Sequence, residues 1–281
     1  MGMQIATNVG ALNAYRNLSS TQNDVSKSLE KLSSGLRINR AADDAAGLAI
    51  SEGLKSQVNG LNVASRNAQD GISVIQTAEG ALTEVHSILQ RMRDLAVQGG
   101  NGSNNDNSRA AISKEAGELS LELRRIAEST NFNGIDLLKG GDLTFQVGAG
   151  GTENDAITIN LANVATAVGT LASADGTAVG EGFVITDNEA ARGTVDDIDA
   201  AINAVSTARS SLGASQNRFE SAINSLNVSA ENLSAANSRI RDTDMAAEMV
   251  KYTAANILSQ AGTAMLAQAN QANQGVLQLL R

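Results

Sequence analysis

Few residues in this sequence have the types and spacing that chemistry needs. Its single histidine, His86, stands in "TEVHSIL", and the chain has neither cysteine nor an HExxH pattern. A catalytic zinc would therefore lack ligands, and a lone histidine on a helix is expected to be a packed or surface residue. Carboxylates gather twice, as Asp43 and Asp44 behind Arg37 and Arg40, and as Asp196, Asp197 and Asp199. Paired acids can serve acid-base chemistry or hold a cation. Ion pairing at a subunit contact fits the first group better, and negative charge at a helix N-terminus fits the second. "GAGG" at 148–151 lacks the Lys-Ser/Thr pair and following helix of a phosphate loop, and reads as a hairpin turn. Asn101-Gly102-Ser103 matches the Asn-x-Ser acceptor pattern, which is short enough to arise by chance. No catalytic residue, cofactor or metal site is expected.

The elements that would position any site are mostly helices. Apolar residues recur at steps of three or four at Ile5, Val9, Leu12, Tyr15 and Leu18, and Val25, Leu29, Leu32 and Leu36 continue the stripe. A second helix is predicted through Leu61, Ile72, Ile75, Leu82, Leu89 and Met92 until "QGGNGSNNDNS" (98–108) stops it. A third runs through Ile112, Ala116, Leu119, Leu123 and Ile126, and "TNFNG" closes it. The period then changes to two. Leu143, Phe145 and Val147 precede "GAGGTEND" and Ile157, Ile159 and Leu161 follow it, which predicts a β-hairpin. Residues 162–192 have few anchors and one short-strand candidate, "FVIT" at 183–186.

Helical order resumes at "TVDD", where Thr194 and Asp197 have capping-box spacing. Ile198, Ile202, Val205, Leu212, Phe219, Ile223, Leu226, Ala230, Leu233 and Ile240 then fit one heptad frame. Arg209, Gln216 and Asn237 interrupt it, and polar residues at such positions can fix register. About six heptads imply a helix roughly 65 Å long. The final segment adds a stripe of Ala254, Leu258, Ala261, Met265, Ala269, Ala272, Val276 and Leu279.

Composition points the same way. Of 281 residues 42% are apolar, yet there are four Phe, two Tyr and no Trp, so small side chains suited to close helix packing dominate. Proline is absent, which permits long unbroken helices. The net charge of −9 argues against nucleic acid as a partner, because phosphate binding wants clustered Lys and Arg. The N-terminus lacks the basic flank and apolar run of a secretory signal. No charged side chain lies from Tyr252 through Leu280, but Gln260, Gln268, Asn270, Gln271, Asn273, Gln274 and Gln278 break the apolar run, so it is not a membrane span. The expected fold is mainly α: a long antiparallel helical coiled-coil rod formed by the N- and C-terminal segments, with a small β-hairpin region in the middle of the chain. Such a rod leaves much of its seam uncovered, so assembly with copies of itself is expected.

At both ends the sequence resembles bacterial flagellin. The N-terminal likeness includes "MQIATNVGALNAYRNL" and "LEKLSSGLRINRAADDAAGLAIS", and the C-terminal one "RIRDTDMAAEMVKYTAANILSQAGTAMLAQANQANQGVLQLLR". The resemblance implies a secreted, extracellular structural subunit that polymerises into the helical filament turned by a rotary motor. It implies a terminal coiled-coil inner domain at 1–43 and 247–281, a helical outer core at 44–141 and 193–246, and a hairpin with a short variable tip at 142–192. Implied partners are further copies of the chain, the flagellar type III export apparatus, an export chaperone, and the filament cap and hook-junction proteins. Ile5, Val9, Leu12, Leu29, Leu32, Leu36, Leu258, Met265, Val276 and Leu279 are the expected subunit-assembly residues.

The family's contact segment for Toll-like receptor 5 looks like "LQRMRDLAVQGGNGSNN" (89–105), with Arg91 and Leu95 at matching positions and Glu115 joining them from the next helix. Helical spacing sets Arg91 and Leu95 one turn apart on one face. Two other readings compete. A hook-filament junction protein shares the terminal helices. A membrane-active amphipathic protein would need Lys and Arg on its polar face, where the closing segment has only Arg281.

Overall fold

The computed structural model describes residues 8–169, 171 and 183–279. In chain order the described elements are α1 (Val9–Ser34), α2 (Ala45–Gly99), α3 (Asp106–Ser129), β1 (Asn131–Phe132), β2 (Ile135–Asp136), β3 (Lys139–Gln146), β4 (Ala156–Asn163), α4 (Val164–Ala167), α5 (Asn188–Arg241) and α6 (Met245–Leu279). No described helix is long and apolar enough to cross a membrane. The chain divides into two compact units, one of residues 1–58 with 231–281 and the other of residues 59–230.

In the unit of residues 59–230, α2 and α5 bury heptad-spaced stripes. Ile75, Ala78, Leu82, Val85, Leu89, Met92 and Ala96 come from α2, and Ile198, Ala201, Val205, Leu212 and Phe219 from α5. Steps of three and four keep each stripe on one face over many turns. Ile112, Ala116 and Leu123 of α3 close the same core. Antiparallel β3 and β4 pair Leu143 with Ile159 and Phe145 with Ile157, in the register the alternation predicts. Phe145 meets Phe219 edge-on, with centroids 5.7 Å apart. Gly71 makes room for that contact, since a Cβ there would lie 2.9 Å from Phe219 Cζ. The turn is tied by Asp155, whose carboxylate accepts the Thr152 hydroxyl at 2.7 Å and the Thr152 N–H at 3.1 Å.

Two expectations for this unit are corrected and a third is extended. Helix α5 begins at Asn188 rather than at Thr194, because Asp187 Oδ1 caps it by accepting the Ala190 N–H at 2.7 Å. Thr194 instead serves the preceding loop: its buried hydroxyl accepts from Val184 N–H at 3.0 Å and donates to Val184 O at 2.8 Å. That satisfies the "FVIT" backbone without a neighbouring strand, so the residues described there form no strand, although Phe183 and Ile185 are buried. "TNFNG" does more than end a helix. Asn133 and Gly134 take φ of 51° and 81°, so β1 and β2 form a tight hairpin whose two-residue turn needs the left-handed region.

In the unit of residues 1–58 and 231–281, α1 and α6 pack against each other. Gly35 ends α1 in the left-handed conformation, φ 73°, so Leu36 lies outside the helix and forms a β-bridge with Asp242. Thr243 N–H donates to Gly35 O at 3.0 Å, and the Arg37 guanidinium donates to Ile240 O at 2.6 Å. The break between α1 and α2 and the break between α5 and α6 are thereby tied together. Asp44 caps α2 through Gly47 N–H at 2.9 Å. Asp43 accepts the N–H groups of Arg40 and Asn39, which hold its carboxyl below its ordinary value.

Candidate assembly surface

The α1–α6 seam mixes small side chains with a few larger ones. On α1 the residues turned inward are Ala11, Ala14, Leu18, Thr21, Val25, Ser28 and Leu32. On α6 they are Glu248, Tyr252, Ala255, Ser259, Gly262, Leu266 and Ala269. Both sets follow the steps of three and four of a heptad. Asn8 Nδ2 reaches Ala269 O at 3.0 Å, Ser259 Oγ reaches Gln22 Oε1 at 3.2 Å, and Ser28 Oγ donates to Glu248 Oε1 at 2.7 Å. Partner numbers fall on α6 as they rise on α1, so the helices run antiparallel. Gly262 admits Leu18, whose Cδ1 would lie 3.2 Å from any Cβ there.

Glu248 is the buried carboxylate of this seam, 6% exposed. The Ser28 hydroxyl holds its pKa below the ordinary value against the cost of burial, helped by Lys251 at 3.4 Å and by Lys31.

Many other apolar side chains of the pair point the other way. Leu12 is 51% exposed, Leu258 60% and Met265 67%, and Val9, Tyr15, Leu29, Met249, Val250 and Ile257 are also exposed. The stripe of the final segment turns away from α1 over most of its described length: Ala254, Leu258, Ala261 and Met265 face outward, and Ala269 alone of its members described sits in the seam. Bulk dominated the sequence periodicity, whereas close helix approach selects small residues. A run of Ala, Ser and Gly at 255, 259 and 262 is the signal that marks the true seam.

Among the ten expected assembly residues, Val9, Leu12, Leu29, Leu258 and Met265 are exposed, while Leu32 and Leu36 are half-buried. Ile5 lies outside the described residues, as do the side chains of Val276 and Leu279. Apolar side chains left bare in this number on two paired helices mark an interaction surface.

The other singled-out residues are placed as follows. Arg91 of α2 and Glu115 of α3 form an exposed ion pair at 2.5 Å, whereas Leu95 is 1% exposed and belongs to the core. Leu95 and Arg91 are thus a turn apart in sequence but differ in burial. His86 shares a hydrogen bond with Gln90 at 3.0 Å, and its Nδ1 has no partner. Asp196, Asp197 and Asp199 lie past the first turn of α5, and Asp199 pairs with Arg93 of α2 at 2.7 Å. Arg40 pairs with Glu30 at 2.8 Å, not with Asp43 or Asp44. Of the heptad exceptions, Arg209 meets Glu79 of α2 at 3.6 Å and Gln216 bonds Glu220 on its own helix at 3.0 Å. Asn237 buries Oδ1 without a partner. No group of three or more metal-ligating residues occurs among the described residues.

Comparison with known proteins gives these surfaces a context. Residues 5–142 match the family model of the bacterial flagellin N-terminal helical region, and residues 195–280 match that of the C-terminal helical region. The chain is 52% identical to a flagellin of Halalkalibacterium halodurans and 48% identical to one of Bacillus subtilis, in each case over 99% of this chain and all of the relative. It is 46% identical to the flagellar filament 33 kDa core protein of Treponema phagedenis, over the same shares. The crystal structure of Bacillus cereus flagellin is similar with a TM-score of 0.50 and 31% identity, over 61% of this chain and 94% of that one. With both helical regions matched and the relatives spanned from end to end, the chain belongs to the bacterial flagellin family, structural filament proteins rather than enzymes.

Proposed function

We propose that this chain polymerises into an extracellular flagellar filament through the bare apolar face of the α1–α6 pair, with Val9, Leu12, Leu29, Leu258 and Met265 in subunit contacts. Ile5, Leu32, Leu36, Val276 and Leu279 complete that set. Residues 1–43 and 247–281 form the inner assembly domain, residues 44–141 and 193–246 the outer core, and residues 142–192 the tip. The observation that carries this reading is the bulk left outside the seam: Val9, Leu12, Tyr15, Leu29, Ile257, Leu258 and Met265 face water although α1 and α6 are already paired. A monomer gains nothing from that arrangement, and a polymer buries it.

The same reading gives the chain its partners. It passes through the flagellar type III export apparatus with an export chaperone, and it adds between the hook-junction proteins and the filament cap. Arg91 and Glu115 supply the charged surface that Toll-like receptor 5 would read, with Leu95 holding α2 in place from the core. The assembly reading is tested by electron microscopy of the purified chain beside a version lacking residues 247–281. Long filaments from the first and monomers from the second are expected; filaments from both would contradict it.

A further inference from the structure

The chain contains three Asn-Gly steps, Asn59-Gly60, Asn101-Gly102 and Asn133-Gly134, and the structure treats them differently. In each, the glycine nitrogen is the nucleophile that can attack the asparagine side-chain carbonyl. Asn59 and Gly60 lie well inside α2, where the backbone N–H is committed to the helix ladder. Asn133 and Gly134 are fixed at φ 51° and 81° between the paired Phe132 and Ile135. Asn101 and Gly102 lie in the exposed loop between α2 and α3.

At that loop two features favour the reaction. Asn101 Oδ1 accepts the Ser103 N–H at 3.2 Å, a donor aimed at the oxygen where negative charge develops. The Gly102 N–H makes no hydrogen bond among the described residues, and no atom lies within 4 Å of where a Gly102 Cβ would stand. We infer that Asn101 is a self-modification site, converting to aspartate and isoaspartate through a succinimide. The Gly102 nitrogen gives its proton to solvent base and bonds to Asn101 Cγ. The Cγ–Nδ2 bond breaks as that nitrogen takes a proton from solvent, and ammonia leaves. Water then opens the five-membered imide at either carbonyl, and no electron is gained or lost. The product carboxylate stands on the rim of a hollow of about 530 Å³ that Val97, Asn188, Arg192 and Asp196 also line. The β-linked product also lengthens the backbone where Asn104 N–H bonds Asn101 O at 3.1 Å. Time thus adds charge and slack to one defined loop.

Peptide mapping by mass spectrometry, after incubation of the full chain in ¹⁸O-water at neutral and mildly alkaline pH, tests this. Asn101 should convert at least about tenfold faster than Asn59 and Asn133, and faster at the higher pH. Gly102→Ala should slow it by about tenfold, and in denaturant the rates at the three sites should converge. Equal rates at the three sites in the folded chain would overturn the inference. So would an unchanged ranking in denaturant or an unaffected Gly102→Ala chain.

Discussion

The Ser28 hydroxyl donates to the Glu248 carboxylate at 2.7 Å, joining residues 220 apart in sequence inside the α1–α6 seam. This is a polar contact at a buried position in a helix–helix seam, the arrangement that sets register at a cost in stability when broken. Ser28→Ala leaves a buried carboxylate short of a donor and should destabilise the helix pair by about 1–3 kcal/mol. Thermal unfolding followed by circular dichroism checks it; an unchanged melting curve would remove the contact's importance.

The same pair predicts a pH dependence. Glu248 titrates below its ordinary 4.5, chiefly because of the Ser28 hydroxyl. A depressed carboxyl adds stability that is whole above about pH 4.5 and is lost as pH falls through the folded value. Asp43, held low by the Arg40 and Asn39 N–H groups, acts in the same direction. Acid should therefore loosen the α1–α6 pair, and Glu248→Gln should flatten that dependence. Melting temperatures of both chains across the acid range decide it, and parallel curves would count against the assignment.

In the unit of residues 59–230 the Phe145–Phe219 contact anchors the hairpin. Phe219→Ala should cost about 3–5 kcal/mol, because Phe219 is fully buried and the site cannot collapse. Gly71→Ala forces a methyl to 2.9 Å from the ring and should cost about 1–3 kcal/mol by overpacking. Denaturant unfolding of the two variants measures both.

Arg91 and Glu115 offer a separation of stability from recognition. Their ion pair is about half exposed, so Glu115→Ala should change stability by less than about 1 kcal/mol. If the pair is a receptor surface, the same substitution weakens activation of Toll-like receptor 5 in a cell reporter assay. Full activation by Glu115→Ala, alone and with Arg91→Ala, would exclude it.

Much of this fold could be read in residues that repeat locally. The hairpin register followed from Leu143, Phe145, Ile157 and Ile159 because side chains alternate across a strand. The heptad frame of α5 followed from Ile198, Val205, Leu212 and Phe219 because each is buried. Where a residue's role depends on a distant partner, its local neighbours do not reveal it. Thr194 looks like a cap from its own neighbours, yet its hydroxyl is occupied by Val184. The α6 stripe looks like a seam because Leu258 and Met265 are bulky, while the helix that packs on α6 requires Ser259 and Gly262. Asn133-Gly134 carried a plain hairpin signal that the helix end beside it obscured.

The exposed bulk of the α1–α6 pair is tested most directly by electron microscopy of the chain carrying Leu12→Asp and Leu258→Asp together. Both side chains are more than half exposed, so the monomer should keep its circular dichroism spectrum and melting temperature. Each should remove about 1.5–3 kcal/mol from every subunit contact that buries it. The account predicts monomers where the parent chain forms filaments. Filaments of normal length from the doubly substituted chain would contradict it.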